Sequence, residues 1–180
     1  MTIPTRLAAT EEPAMSNTTE LRPVEEVFRK EKAGHLCRAQ PVTALSESPL
    51  EEVLGLLRGE SGGYVVLVKP RPGGLEPVGI FTERDYLDKV AGREIPKSAR
   101  ASDLMTPSPR TLRADQTLDE AIELMTRGGY RHIPLVDAAG RLTGVLSVRD
   151  IIRFLAEFFP TEVMNQPPSG GKAADRREGE

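Results

Sequence analysis

One cysteine, Cys37, is all that the chain holds, which excludes an internal disulfide and fits a reducing cytoplasm. With only His35 and His132 beside it, a closed Cys/His zinc site cannot be assembled. Neither sign of charge is in excess: 24 basic residues stand against 27 acidic ones, a net charge of −3. No basic field therefore favours nucleic acid or an anionic lipid surface. Long apolar runs are missing too. The longest unbroken aliphatic stretch, Val65-Val66-Leu67-Val68, is far short of the ~20 residues of a membrane helix. Residues 1–20 contain no apolar core of the signal-peptide kind. No P-loop, no paired metal-binding carboxylates and no nucleophile–base constellation is visible. The expectation is a soluble, cytoplasmic protein that is not an enzyme and engages neither membrane nor nucleic acid.

What is present is 180 residues, 38% of them hydrophobic, enough for one domain or two small ones at roughly 100–200 residues per domain. The ends differ from the middle. Residues 1–22 mix Thr, Pro, Ala and Glu without a period and read as a disordered N-terminal segment. Residues 161–180 carry Pro167-Pro168-Ser169-Gly170-Gly171 and then mixed charge, the composition of a disordered tail. After Pro23, the residues Val24, Val27 and Phe28 share one helical face, so a short leading helix is expected.

The segment between repeats itself. Leu36-Cys37 falls on Leu104-Met105, Pro41 on Pro109, Thr43 on Thr111, Leu50 on Leu118, Glu52 on Glu120 and Leu57 on Met125, all 68 positions apart. Val65-Val66-Leu67-Val68 falls on Ile133-Pro134-Leu135-Val136 at the same separation, after which Gly79 matches Gly144 and Asp85 matches Asp150 at 65. The change is confined to one loop, as a structural duplication tolerates. Boundaries follow: leading helix and first repeat in 23–95, second repeat in 96–160. A unit of this size buries too little apolar surface to stand alone, so the copies should pack together.

Each copy reads strand, helix, strand, strand, helix. Ser48-Pro49-Leu50-Glu51 has the form of a capping box, and Gly59 is the stop of that helix. In the second copy Thr117-Leu118-Asp119-Glu120 offers the start, with Asp115 as the other cap, and Gly128-Gly129 the end. The last helix runs from about residue 150 to 159 and stops at Pro160.

Both copies carry one signature where the third strand meets the second helix: Gly79-Ile80-Phe81-Thr82-Glu83-Arg84-Asp85 and Gly144-Val145-Leu146-Ser147-Val148-Arg149-Asp150. Two readings stand side by side. A hydroxyl three residues before an acid caps a helix. The same hydroxyl and acid can grip the two adjacent hydroxyls of a ribose, with a phosphate near the helix N-terminus and a bidentate arginine beside it. Capping alone does not require Arg84 and Arg149 at matched positions.

With these residues, residues 36–159 resemble a tandem pair of CBS domains, named for cystathionine β-synthase. The carriers are Asp103-Leu104-Met105-Thr106-Pro107, Thr117-Leu118-Asp119-Glu120-Ala121, Arg131-His132-Ile133-Pro134-Leu135-Val136-Asp137 and the two Gly-to-Asp signatures. The resemblance implies an α+β fold of two β-α-β-β-α units, packed sheet to sheet with pseudo-twofold symmetry. It implies two clefts that bind adenosine compounds and a regulatory, stand-alone role with no required cofactor. AMP, ADP and ATP are the expected ligands, and NAD(H) and S-adenosylmethionine share the ribose and adenine that the motifs read. Thr82 with Asp85, and Ser147 with Asp150, become the ribose pairs. Arg84, Arg149, Arg131 and His132 become phosphate contacts, and the backbone at Thr43 and Thr111 lines adenine. A homodimer and an unidentified protein target are the implied partners.

The first copy departs from the pattern. Gly62-Gly63-Tyr64-Val65-Val66 replaces Tyr130-Arg131-His132-Ile133-Pro134, and Lys69-Pro70-Arg71-Pro72-Gly73-Gly74 forms a loop insertion, so the two clefts need not be equivalent. Cys37 aligns with Met105 and reads as a buried apolar position. His132 precedes a buried strand, which leaves a structural role beside the phosphate role. The stripe Ile151, Phe154, Leu155, Phe158 is core with surface left for a partner helix. The competing functional reading is a ligand-free dimerisation or protein-interaction module, in which the junction residues only cap.

Overall fold

The computed structural model describes residues 22–37, 40–59 and 62–158. The expected disordered ends, save Arg22, and the Pro160 stop lie outside the described residues. In chain order the leading part is α1 (Arg22–Lys30) and a 3-10 turn (Ala33–Leu36). The first unit follows as β1 (Thr43–Leu45), α2 (Leu50–Arg58), β2 (Tyr64–Arg71), β3 (Gly74–Thr82) and α3 (Glu83–Lys89). A connector of α4 (Ala101–Leu104) and β4 (Thr106–Pro107) leads to the second unit. That unit is β5 (Leu112–Arg113), α5 (Leu118–Gly128), β6 (His132–Val136), β7 (Leu142–Ser147) and α6 (Val148–Phe158).

The strands form two sheets, ordered β1-β2-β3-β4 and β5-β6-β7. In each, the first strand runs parallel to the second and the second antiparallel to the third. Even the irregularities repeat: the register shifts at Leu67/Val68 in one sheet and at Leu135/Val136 in the other, positions that match in the duplication. The fold is the expected α+β arrangement of two β-α-β-β-α units.

Three local readings need correction. The insertion at 69–74 is not a loop. It lengthens the β2–β3 hairpin, with Lys69 opposite Glu76 and Pro70 opposite Leu75. Pro72 and Gly73 make the turn, and Gly73 at φ +80 supplies the left-handed geometry that a side chain would resist. The Ser48 capping box does not form either: Pro49 is the N-cap of α2, and the Leu50 amide donates instead to the Ala99 carbonyl at 2.9 Å. Asp115 is not the α5 cap, because it pairs with Arg113 at 2.7 Å, while Thr117 caps and its amide donates to Glu120 at 2.8 Å. Gly129, at φ +64, closes α5 as anticipated.

The core shows how two small units become stable. Phe81, Leu67, Val65 and Val53 are fully buried in the first unit and are sealed by Ala101, Leu104 and Met105 from the connector that introduces the second. Leu118, Ile133, Leu135 and Leu146 fill the second core, sealed by Phe28, Ala33 and Leu36 from the segment that introduces the first. Each unit thus lends its leading segment to the other. Single bridges repeat the exchange, Lys32 with Thr117 and Arg100 with Pro49. So do two close approaches: a Cβ on Gly144 would sit 3.1 Å from the Cys37 sulfur, and one on Gly79 would overlap Met105. The leading helix, grouped by sequence with the first repeat, therefore packs on α5 of the second.

Between the sheets lies a third apolar cluster, Val66 and Val68 from β2 with Val145 from β7, flanked by Tyr64 and Leu142. Tyr64 and His132 occupy matched positions, and their rings meet with centroids 4.8 Å apart. The units pack sheet to sheet about this pair.

Candidate functional site

The chain enters α3 through Thr82, whose extended backbone and side chain make it the N-cap. Its amide and hydroxyl both donate to Asp85 Oδ2, at 2.9 and 2.7 Å, and the Asp85 amide donates back to the Thr82 hydroxyl at 3.3 Å. Asp85 is only 8% exposed. Its other oxygen, Oδ1, accepts from the Lys89 ammonium at 2.7 Å and from the Thr106 hydroxyl at 2.8 Å. Burial alone would push this carboxyl's pKa up, but the hydrogen bonds from Lys89, Thr82 and Thr106 outweigh it and hold the acid below its ordinary value. Asp85 is therefore ionised at neutral pH.

The second junction is built alike. The Ser147 amide and hydroxyl donate to Asp150 Oδ2 at 2.9 and 2.5 Å, and Arg153 reaches Oδ1 at 3.3 Å. The capping reading is thus correct at both junctions, and it leaves open what else the acids hold.

Around the first junction lies a cavity of about 350 Å³, within the size range of small-molecule sites. Both units wall it. Thr82, Glu83, Arg84 and Asp85 come from the start of α3, Thr106, Ser108 and Arg110 from β4 and the turn after it, and Tyr130, Arg131 and His132 from the entry to β6. Five of the sequence-derived site residues, Thr82, Arg84, Asp85, Arg131 and His132, are brought together here. The acid and hydroxyl belong to one repeat and the Arg-His pair to the other.

The remaining five are not brought together. Arg149 lines a cavity with Leu57, Glu83 and Tyr86, whereas Asp150 lines another with His35, Phe154 and Phe158. Consecutive helical residues diverge by about 100° around the axis, and only at α3 do flanking segments wrap both. Ser147 lines none of these three cavities. Thr43 pairs with Val66 in the first sheet, and Thr111 lies one residue past Arg110, where the lining ends. Neither is among the residues that line the first-junction cavity.

Sequence reasoning missed Thr106, Ser108 and Arg110. The stretch 103–107 was legible as a motif, but its approach to α3 follows from β4 pairing with β3, Ile80 opposite Thr106. Ser108, at φ +49, is the one non-glycine residue with positive φ among those described. It sits in the turn that presents Arg110.

His132 meets the cavity in a neutral state. Burial lowers its pKa, and the nearby Arg149 charge adds to this against a hydrogen bond with the Gly62 carbonyl. Its ring is tilted against Tyr64 and bonded to Gly62, and it lines the cavity as a half-buried wall. Cys37 is inert as well: burial, then the Asp150 charge, push its thiol up to about 11, and the thiol donates to the Val145 carbonyl at 3.0 Å. Among the described residues no cluster of three or more His, Cys, Asp or Glu side chains could hold a metal, and no helix is long and apolar enough to cross a membrane.

Comparison with known proteins agrees with this geometry. The CBS domain family matches residues 33–92 and again 101–157. An uncharacterized protein of Methanopyrus kandleri, MK0525, is 32% identical over 127 residues, 70% of this chain and 63% of that protein. The chain thus spans about three-fifths of that relative's length. Among solved structures, the CBS domain protein PAE2072 of Pyrobaculum aerophilum, complexed with AMP, is 30% identical with a TM-score of 0.60 and covers 70% of this chain and 98% of its own. The cytosolic domain of the Mg2+ channel MgtE in complex with ATP is 26% identical with a TM-score of 0.56, over 71% of this chain and 50% of its own.

Proposed function

Because the chain belongs to the CBS domain family, we propose that it is a regulatory module, not a catalyst, that binds an adenosine compound of the AMP, ADP or ATP type between its repeats. The observation that carries this reading is one cavity walled by both units, with an ionised acid and a hydroxyl on one side and three guanidinium groups, Arg84, Arg110 and Arg131, on the others. A ribose diol suits the first and a phosphate the second. Ser147 and Asp150 supply the matching ribose pair at the other junction. The AMP held by PAE2072 and the ATP held by the MgtE domain support the ligand class. A ligand that bridges two units joined by exchanged segments stabilises the whole, and that change in shape or stability is the signal.

Thermal unfolding tests it. Ligand at a hundredfold excess over Kd adds about 2.7 kcal/mol, a large step beside a typical margin of ~5–15 kcal/mol. AMP, ADP or ATP should raise Tm, each of Asp85→Ala and Asp150→Ala should reduce the rise, and the double variant should abolish it. No rise with any of the three at millimolar concentration refutes the proposal. It would favour the second reading, a ligand-free interaction module, which the fully hydrogen-bonded Asp85 favours. Under that reading Asp150→Ala costs only ~1 kcal/mol for the lost cap.

The same duplication supports a homodimer. Leu87 on α3 and Ile152 on α6 are matched positions, and both stand out of the surface, 67% and 58% exposed. Two copies pairing through these helices would cover both at once. Sedimentation should report twice the 19.7 kDa chain, and Leu87→Lys with Ile152→Lys should return the monomer. A wild-type monomer at 100 µM-scale loading ends the dimer reading.

A further inference from the structure

The two motif acids are chemically alike but differently occupied. A carboxylate offers about four acceptor positions. At Asp85 all four are filled from within the chain: Thr82 amide and hydroxyl on Oδ2, Lys89 and Thr106 on Oδ1. At Asp150 the Oδ2 side is the same, but among the described residues Oδ1 has only Arg153, at 3.3 Å. One reason is a position in the duplicated helix. Lys89 stands four residues after Asp85, and its counterpart four residues after Asp150 is Phe154, which has nothing to donate.

Lys89 is also fully engaged. Besides Asp85 its ammonium donates to the Leu104 carbonyl at 2.9 Å and to the Thr106 hydroxyl at 3.4 Å, so each of its three protons has an acceptor. The ion pair is shielded, with side chains 11% and 34% exposed for Asp85 and Lys89.

We infer that Lys89 is a positioning residue that holds the ribose-accepting oxygen of Asp85 from inside the chain, so that a ligand entering this cavity must exchange the Lys89 ammonium for its own hydroxyl. The inference rests on the reading given above, and it makes the two clefts unequal: the Asp150 side accepts a diol with little broken, and the Asp85 side accepts one only against an internal competitor. Lys89 thereby sets the affinity of the first cleft. Lys89 also ties α3 to the connector at Leu104 and Thr106.

Calorimetric titration with AMP and with ATP tests this in the full chain carrying Asp150→Ala, where the cavity at Asp85 is the remaining site. Adding Lys89→Met should tighten binding about two- to fivefold, the range expected for a partly shielded ion pair. The same change should lower Tm of the ligand-free chain, since a bond is lost. A merely structural lysine would move Tm down and affinity down or not at all, so opposite signs are the mark of the competitor. Lys89→Gln, which keeps a donor without the charge, should give a smaller gain and guards against failure of the methionine variant to fold. Weaker or unchanged binding in both variants, with the wild-type chain responding to nucleotide, overturns the inference alone. No binding by the wild type and by either variant overturns the nucleotide reading and this with it. Binding by Lys89→Met where the wild type shows none supports the competitor.

Discussion

Replacing Phe81 by alanine should lower the free energy of unfolding by about 3–5 kcal/mol, a large share of the ~5–15 kcal/mol that such a protein has. Phe81 is fully buried on β3, opposite Val65 in the ladder, and packs with Leu67, Val53 and Ala101. Truncation removes the largest fully buried side chain and leaves a void that rigid neighbours on a sheet cannot fill. Because Ala101 belongs to the connector into the second unit, the loss is shared. Urea unfolding followed by circular dichroism should show one transition moved to lower denaturant, with its slope unchanged. A loss under about 1 kcal/mol would show that this core does not hold the fold.

Leu36→Ala should cost about 2–5 kcal/mol for a site that sequence order places at the start of the first repeat. Leu36 is 6% exposed and belongs to the core of the second unit, with Leu112, Leu118 and Ile133. Hydrogen exchange should therefore rise first in β6 and β7, and less in β1 and β2. The opposite distribution would mean that the leading segment does not seal the second unit.

Leu36 also marks where sequence reading stops. The repeat was visible because matched residues recur at fixed separations, and the order of elements followed from periodicity and turn chemistry. Capping at Thr117 and the stop at Gly129 were legible because each involves groups within a few residues. Ser48 shows the limit of that logic: its box was locally sound, but the Leu50 amide found the Ala99 carbonyl, some fifty positions away. The insertion at 69–74 looked like a loop for its Pro and Gly content, yet the partner strand was long enough to pair it.

The candidate site divides in the same way. Thr82, Asp85, Ser147 and Asp150 could be named from the duplicated signature alone, and so could Arg84, whereas Arg131 came with the family resemblance. Thr106, Ser108 and Arg110 could not, because only the pairing of β4 with β3 carries them to the mouth of α3. The lowered pKa of His132 was equally out of reach, since it comes from burial against Tyr64 across the interface and then from the Arg149 charge on α6 of its own unit.

Alone, then, the order of residues determined the duplication, the α+β units and the two capped junctions. These depend on bonds between near neighbours and on side-chain periodicity, both written along the chain. Only the tertiary structure decided that each unit is sealed by the other's leading segment, which arginines share a cavity, and that one motif acid is fully occupied while its twin is not. The first two are contacts between residues tens of positions apart, selected by the need to bury what a unit of this size leaves exposed, and the third joins the Lys89 contact within α3 to Thr106 from the connector.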